Sequence, residues 1–386
     1  MNRIAIVTGG TSGIGLAAVK ALVAQGCIVY ALSRHGQGER HISCDVSDEN
    51  SARAAVRTVL DKEGRIDILV NCAGFGISGA GELTPLETAK KQLDVNLFGT
   101  ANMVNAVIPA MRKQGGGRIV NTGSVAGFVP IPFQTWYSAS KAAVQSYTMA
   151  MGNELRPFGI TLTAVLPGDT KTGFTAARNK IDDPDDLYQG RIDILVNCAG
   201  FGISGAGELT PLEAAKKQLD VNLFGTANMV NAVIPAMRKQ GGGRIVNTGS
   251  VAGFVPIPFQ TWYSASKAAV QSYTMAMGNE LSPFGITLTA VLPGDTKTGF
   301  TAARNKIDDP EGLYGGRIAR SVARMEHDEQ NGVPAQKVGD LIARVALKRR
   351  VKPLYIPGFS YNLVNVLMRL FPSGAANRLI GMLYAK

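Results

Sequence analysis

The chain has 386 residues, of which 45% are hydrophobic and 18% charged, and its formal net charge is +11 at pH 7. No apolar run reaches the ~20 residues that span a membrane, and no basic stripe is interleaved with aromatic residues, so we expect neither a membrane-spanning protein nor a nucleic-acid-binding one. An anionic cofactor, an anionic membrane surface and a solvated basic face remain alternative reasons for the charge. Four cysteines in apolar runs and three histidines without ligand spacing predict a cytoplasmic protein without a metal site.

The first part of the chain, residues 1–63, predicts three strands and two helices. The apolar strand RIAIVT leads through glycines into a helix that ends at Gly26, and the strands CIVYALS and HISCD and a further helix follow. A strand, a glycine turn and a helix in that order are typical of a nucleotide-binding unit. We therefore expect residues 1–63 to bind a cofactor.

A long block of sequence then occurs twice. Residues 64–189 match residues 190–315 at all but five positions. Each copy predicts the strand IDILVN, one continuous helix of about 29 residues beginning LETAKK or LEAAKK, the strand GRIVNT, a helix beginning at YSASK and the strand ITLTAV. Removing one copy leaves 260 residues, a suitable size for one α/β domain. A tandem duplication and an error of sequence assembly both explain the near-identity.

The remaining residues, 316–386, predict a helix, a strand and two apolar helices. Strands that alternate with helices predict an α/β fold, here a Rossmann-type doubly wound parallel sheet with a duplicated strand 4-5-6 segment. We expect copy 1 to continue the sheet begun by residues 1–63, and the C-terminal part to complete that sheet as its seventh strand. Copy 2 would then be an insertion that docks its long helices against those of copy 1 and leaves its IDILV strand as an unpaired edge.

The glycine-rich turn after the first strand predicts a phosphate site. Glycines there let backbone amides approach a pyrophosphate at a helix N-terminus. The second strand ends in Ser33 and Arg34 instead of an acidic residue, which favours the 2′-phosphate of NADP over NAD, although Arg34 could equally be a solvated surface residue. The residues expected to bind the cofactor in this part are Gly9, Thr11, Ser12, Gly13, Ile14, Gly15, Ser33 and Arg34.

A second pattern in copy 1 predicts proton-transfer chemistry. Tyr137 and Lys141 stand four residues apart on a predicted helix, so they share one face. A lysine cation stabilises a phenolate and so lowers a tyrosine pKa from its usual value of about 10. Ser124, at the end of the preceding strand, can donate a hydrogen bond to a carbonyl oxygen.

Taken together, these motifs resemble the short-chain dehydrogenases/reductases, and the short link between the second and third strands and the apolar tail resemble the hydroxysteroid-dehydrogenase-like members. The resemblance implies an NAD(P)-dependent oxidoreductase that interconverts a carbonyl and an alcohol by hydride transfer. Its catalytic motif matches Asn96, Ser124, Tyr137 and Lys141, and again Asn222, Ser250, Tyr263 and Lys267 in copy 2.

The same resemblance assigns roles to these residues. It implies that Tyr137 is the general acid in ketone reduction, that Lys141 holds the nicotinamide ribose, and that Asn96 supports a water that relays protons. The further cofactor contacts that it implies are Asp45, Asn71, Ala73, Tyr137, Lys141, Pro167, Gly168 and Thr172, with Pro293, Gly294 and Thr298 as the copy 2 counterparts of the last three. Cys72 departs from the family pattern, which has asparagine there.

The substrate is predicted only by class. The segment VAGFVPIPFQTW before Tyr137 is apolar and borders the expected cleft, which favours a lipophilic carbonyl or alcohol such as a steroid, a retinoid or an acyl chain. The C-terminal tail covers this cleft, packs in the core or lies on a membrane surface, and a homo-oligomer is a further expectation. The alternative function is a catalytically inactive scaffold, or the misassembled product of a duplicated dehydrogenase.

Overall fold

A computed structural model describes residues 2–168, 179–180, 191–358, 361 and 373–385. The chain forms two α/β units that pack against each other, which we call the first unit (residues 2–168) and the second unit (residues 191–358). Its α-helices are α1 (Gly13–Ala24), α2 (Glu49–Glu63), α3 (Leu86–Leu93), α4 (Gly99–Lys113), α5 (Val125–Phe128), α6 (Thr135–Leu155), α7 (Leu212–Leu219), α8 (Thr226–Lys239), α9 (Thr261–Leu281), α10 (Arg317–Gln330), α11 (Ala335–Leu347) and α12 (Ser373–Tyr384).

The strands follow the predicted order, with short extra pairs near the loops. They are β1 (Ile4–Thr8), β2 (Ile28–Ser33), β3 (His41–Ser43), β4 (Ile68–Asn71), β5 (Ile77–Ser78), β6 (Gly117–Thr122), β7 (Ile160–Val165), β8 (Asn179–Lys180), β9 (Ile194–Asn197), β10 (Ile203–Ser204), β11 (Gly243–Thr248), β12 (Ile286–Val291), β13 (Thr296–Lys297), β14 (Asn305–Lys306), β15 (Val333–Pro334) and β16 (Leu354–Tyr355). In each copy, the predicted long helix is interrupted by a π-helical turn, at Asp94–Phe98 and at Asp220–Gly225.

The first unit contains a six-stranded parallel sheet in the order β3-β2-β1-β4-β6-β7. Strand β1 is buried along its whole length and pairs with β2 on one side and β4 on the other. An apolar run of this kind is suited to a central parallel strand that helices cover on both faces. The expected pairing of copy 1 with the N-terminal strands is therefore confirmed, and Thr8 stands beside Asn71 at the carboxyl ends of β1 and β4.

The second unit contains a four-stranded parallel sheet in the order β16-β12-β11-β9. Its strand β16 comes from the C-terminal part of the chain and pairs with β12 of copy 2. The expectation that residues 316–386 complete the sheet begun by β1 was wrong. Strands β7 and β12 have the same sequence and offer the same edge, but β12 is the nearer of the two to β16 along the chain, and elements close in sequence usually pack as neighbours.

Strand β9 lies at the edge of the second sheet, as the sequence predicted. Its counterpart β4 has β1 on that side, whereas Ile194 and Val196 of β9 are each 39% exposed. The second unit therefore has no counterpart of β1, β2 and β3 among the described residues.

The two units meet through their longest helices, α6 and α9, which confirms the expected docking of the copies. Trp136 of α6 stacks on Phe224, and Trp262 of α9 stacks on Phe98, with ring centres 5.4 and 5.5 Å apart. Each contact thus occurs twice with the copies exchanged, as in a symmetric dimer. One continuous hydrophobic core runs through both units. Among the described residues, no helix has the length and apolar character needed to cross a membrane.

Candidate active site

The glycine turn at the end of β1 forms an open cradle at the start of α1. Gly9 and Gly13 have φ values of +63° and +51°, in the left-handed region that favours glycine. A Cβ on Gly15 would lie 2.7 Å from the carbonyl carbon of Gly9, so only glycine fits there. Ser12 occupies the N-cap position without a side-chain cap, and the first turn of α1 contains no acidic residue. Such a helix start suits a phosphate, so these residues fit the dinucleotide that the motif predicts.

The next loop is fixed against this turn by Thr8. Its hydroxyl oxygen accepts hydrogen bonds from the backbone amides of Cys72 and Ala73, both at 3.1 Å. Asn71 is buried, and its side chain donates a hydrogen bond to the side chain of Asn121 at 3.0 Å. The structure therefore brings Ala73 beside the glycine turn, while the Asn71 side chain connects β4 to β6.

The expected nucleotide-selecting residues lie at the end of β2. Arg34 is exposed there. The Ser33 hydroxyl donates to the backbone carbonyl of His35 at 2.7 Å and lies 2.9 Å from the His41 ring. Asp45 accepts hydrogen bonds from the amide and hydroxyl of Ser47, which uses one carboxylate oxygen to close the turn after β3. The exposed Arg34 guanidinium thus places a cation at this end of the sheet.

Asn96 lies in the π-helical turn between α3 and α4 and holds three elements together. Its amide group donates to the Phe75 carbonyl and to the Ser140 hydroxyl, both at 3.0 Å, and its oxygen accepts from the Phe75 amide. A π-helical turn is a frequent feature of functional sites because it redirects one side chain out of the helical repeat. Asn96 thereby connects the loop after β4 to α6.

Lys141 lies beside Tyr137 and contacts the carboxyl end of β6, two residues before Ser124. The Lys141 ammonium donates to the Thr122 carbonyl at 2.8 Å and lies 5.8 Å from the centre of the Tyr137 ring. Burial lowers the pKa of Lys141 to about 8. Ser124 caps α5, where its side-chain oxygen accepts from the Ala126 amide, and Tyr137 is half-buried in the first turn of α6.

Copy 2 repeats this arrangement in different surroundings. Lys267 donates to the Thr248 carbonyl at 2.9 Å, and Asn222 again contacts Phe201 and Ser266. The Phe300 ring lies 5.3 Å from the Tyr263 ring, whereas Phe174, the copy 1 counterpart of Phe300, lies outside the described residues. Burial raises the pKa of Tyr263 to about 12, although a hydrogen bond with Ser250 lowers it. No strand with a glycine turn adjoins this site among the described residues.

The last predicted motif is only partly described. Pro167 accepts a hydrogen bond from the Val125 amide at 3.1 Å, and Gly168 is exposed, whereas Thr172 lies outside the described residues. In copy 2, Thr298 is exposed and accepts from the Phe300 amide. Sequence reasoning missed Thr122 and Ser140, which hold Lys141 and Asn96. Neither residue has a sequence signal, because each is recognised only from its contact with a predicted residue.

Comparison with known proteins gives one consistent result. The family model described as short chain dehydrogenase matches residues 3–183 and, a second time, residues 185–309. The chain is 43% identical over 181 residues to 3-ketodihydrosphingosine reductase of Bacteroides thetaiotaomicron, covering 46% of this chain and 67% of that protein. It is 37% identical over 225 residues to the short-chain type dehydrogenase/reductase VdlC of Helicobacter pylori, covering 55% and 82%. A solved short-chain dehydrogenase from Streptomyces avermitilis is 30% identical, with a TM-score of 0.44 and coverage of 47% and 73%.

Proposed function

Because the chain belongs to the short chain dehydrogenase family, we propose that its first unit is the catalytic one and that Tyr137 transfers the proton between a carbonyl and an alcohol. The family makes the chain an NAD(P)-dependent oxidoreductase. The proposal adds that NADP is preferred and that the substrate is lipophilic. The copy 2 residues Tyr263 and Lys267 would then have a structural role.

The proposal that the first unit is catalytic rests on the pairing of its strands. Pairing of β1 with β4 places the glycine turn and the Tyr137 group at the carboxyl edge of the same sheet. Ligands of open α/β sheets bind outside the carboxyl ends of the strands, where neighbouring loops form a crevice. The second unit has a tyrosine and a lysine at its edge but no strand beside β9 that supplies a phosphate cradle, within the described residues.

The residues of the first unit are suited to proton transfer. The bound nicotinamide would supply or accept the hydride. Lys141 stands beside the Tyr137 ring and keeps its proton at neutral pH, since its pKa is about 8. This cation stabilises the phenolate, so Tyr137 can give its proton to a developing alkoxide and take it back in the reverse direction. Ser124 would orient the carbonyl oxygen, and Asn96 would hold the loop after β4 and α6 in register.

The preference for NADP rests on the end of β2. An acidic residue there would accept hydrogen bonds from the ribose hydroxyls of NAD and repel a 2′-phosphate. Arg34 instead presents an exposed cation, which can form a charge-assisted contact with that phosphate. The Ser33 hydroxyl already bonds to His35, so Arg34 is the main determinant of the preference.

The lipophilic substrate rests on the surface beside Ser124. Phe128, Val129 and Phe133 are 65%, 56% and 56% exposed, an unusual cluster of large apolar side chains. A relative named as a reductase of 3-ketodihydrosphingosine supports a long-chain ketone. In the tail, α12 packs on α6 and leaves Leu379 and Leu383 more than half exposed, which supports peripheral contact with a lipid surface.

Matched tyrosine variants test this proposal. Tyr137→Phe and Tyr263→Phe make the same change in two copies of one segment. We expect Tyr137→Phe to reduce turnover of NADPH with a panel of lipophilic ketones, including 3-ketodihydrosphingosine, by ~10²-fold or more. Tyr263→Phe should retain nearly full turnover. The reverse pattern would assign catalysis to copy 2, and an inactive wild-type protein that still folds would favour the scaffold alternative.

A further inference from the structure

A buried carboxylate of the second unit accepts three hydrogen bonds from the first. Glu280 lies near the end of α9 and is 6% exposed. Its oxygens accept hydrogen bonds from the amide of Gly81 at 2.7 Å, from the amide of Phe133 at 2.9 Å and from the hydroxyl of Thr135. Copy 2 thus reaches across the interface to the segment that precedes Tyr137.

The contacted segment needs support from outside. Phe133 has a φ of +60°, a left-handed conformation that is unfavourable for a residue with a side chain. Its carbonyl accepts from the Gly79 amide, so the strained residue also connects to the loop after β5. Thr135 begins α6 and stands two residues before Tyr137. A carboxylate that binds the amide of Phe133 and the hydroxyl of Thr135 therefore sets where this helix starts.

A tryptophan completes the connection. The Trp136 indole donates to the Gly81 carbonyl at 3.2 Å, while the Gly81 amide donates to Glu280. The loop at Gly81 and the first turn of α6 are thus joined both directly and through the carboxylate. A Cβ on Gly81 would lie 3.0 Å from Thr135, which shows how closely the two segments approach.

We propose that Glu280 of copy 2 is a positioning residue for the reaction at Tyr137 in copy 1. It holds the strained segment from Phe133 to Thr135 and so fixes the first turn of α6, which carries Tyr137. The inference rests on the proposed function. It gives the second copy a task in catalysis that does not require a cofactor site of its own.

The chain contains its own control for this proposal. Glu154, near the end of α6, makes the equivalent contacts with the copies exchanged: it accepts hydrogen bonds from the amides of Gly207 and Phe259 and from the hydroxyl of Thr261. Phe259 has a φ of +62° and Glu154 is fully buried. Removing either carboxylate therefore disturbs the same kind of interface contact, but only Glu280 supports the segment before Tyr137.

The experiment compares Glu280→Gln with Glu154→Gln. Glutamine replaces one of the two carboxylate oxygens with an NH2 group, whichever way its amide is oriented. That oxygen had accepted a hydrogen bond, so a buried donor loses its partner. The melting temperature should decrease by a similar amount in both variants. We expect Glu280→Gln to lower kcat/KM for the ketone by roughly tenfold, because part of the free-energy cost of the unsatisfied donor should appear as misplacement of Tyr137. Glu154→Gln should retain kcat/KM within about twofold, and the Kd for NADPH should be unchanged in both.

Further variants and a second measurement keep the test decisive. Thr135→Val and Thr261→Val remove one matched hydroxyl each, and the same asymmetry should appear if the glutamine variants fold poorly. Equal losses of kcat/KM in the two members of a pair, or no loss in Glu280→Gln, would overturn the positioning role.

An inactive wild-type protein would instead refute the proposed function, and hydrogen exchange then tests the contact itself. Peptides of copy 1 that include Arg156 can be distinguished by mass from the corresponding peptides of copy 2, which have Ser282 at that position. Glu280→Gln should speed exchange of the amides before Tyr137, and unchanged exchange there would refute the contact.

Discussion

The glycine turn gives the sharpest test of where the nucleotide binds. In Gly15→Ala, the new Cβ would lie 2.7 Å from the carbonyl carbon of Gly9 and 3.2 Å from the Gly10 amide nitrogen. Both neighbours are backbone, so the turn must shift by several tenths of an ångström. Displaced amides and a displaced helix start should lose at least one charge-assisted phosphate contact, worth about 1.5–3 kcal/mol. The Kd for NADPH should therefore rise by roughly 10- to 150-fold.

The matched control is a glycine far from the site. Gly339 lies within α11 with no atom near the position of a Cβ, so Gly339→Ala should stabilise the protein slightly and leave NADPH binding unchanged. Fluorescence titration with NADPH measures both Kd values, and thermal melts confirm that both variants fold. Wild-type affinity in a folded Gly15→Ala variant would refute the assignment of the turn to the phosphates.

Three further predictions concern the nucleotide and the proton. Arg34→Ala should weaken NADPH binding far more than NADH binding, and equal losses in paired titrations would remove the basis for an NADP preference. Calorimetry should find one NADPH per chain, since a single glycine turn adjoins a described sheet, and two sites would contradict this. For Lys141, burial lowers the pKa to about 8, so ketone reduction should decline as pH rises through 8 and the cation beside Tyr137 is lost. Because the folded protein then binds fewer protons than the unfolded chain, unfolding free energy should rise above pH 8. Burial also lowers the pKa of Lys267 to about 8, so Lys141→Met should reduce this rise in denaturant titrations without abolishing it.

The first strand and the glycine turn of the first unit could be predicted from the sequence because their signals are local. The apolar run at Ile4–Thr8 and the glycines after it define a central strand and a phosphate turn without reference to other parts of the chain. The π-helical turn that carries Asn96 could not be predicted, since the hydrophobic pattern runs through it as one helix. The structure shows that this turn, and not helical periodicity, directs the Asn96 side chain towards Phe75 and Ser140.

The destination of the C-terminal strand could not be predicted for a different reason. Strands β7 and β12 are identical in sequence, so no local preference distinguishes the two edges that β16 could join. Chain connectivity decides between them, and it is a property of the whole fold. The role of Glu280 could not be predicted for the same reason. The 65 residues before Glu154 match those before Glu280, and only the docking of the two units shows which segment each carboxylate supports.

Duplication therefore leaves two units that are incomplete in complementary ways. The first has the glycine turn and ends its sheet at β7, whereas the second begins its sheet at β9 and takes the C-terminal strand. Tyr137 and Tyr263 stand in identical stretches of sequence but beside different sheets, since among the described residues only β4 has β1 as a neighbour. The open edge of β9, with Ile194 and Val196 exposed, offers the pairing groups that β4 uses for β1, and it is the surface through which we expect copies of the chain to associate. Docking of α6 on α9 offsets part of the instability of the incomplete second sheet, because it buries both tryptophans. It also lets each copy contact the segment before the other copy's tyrosine.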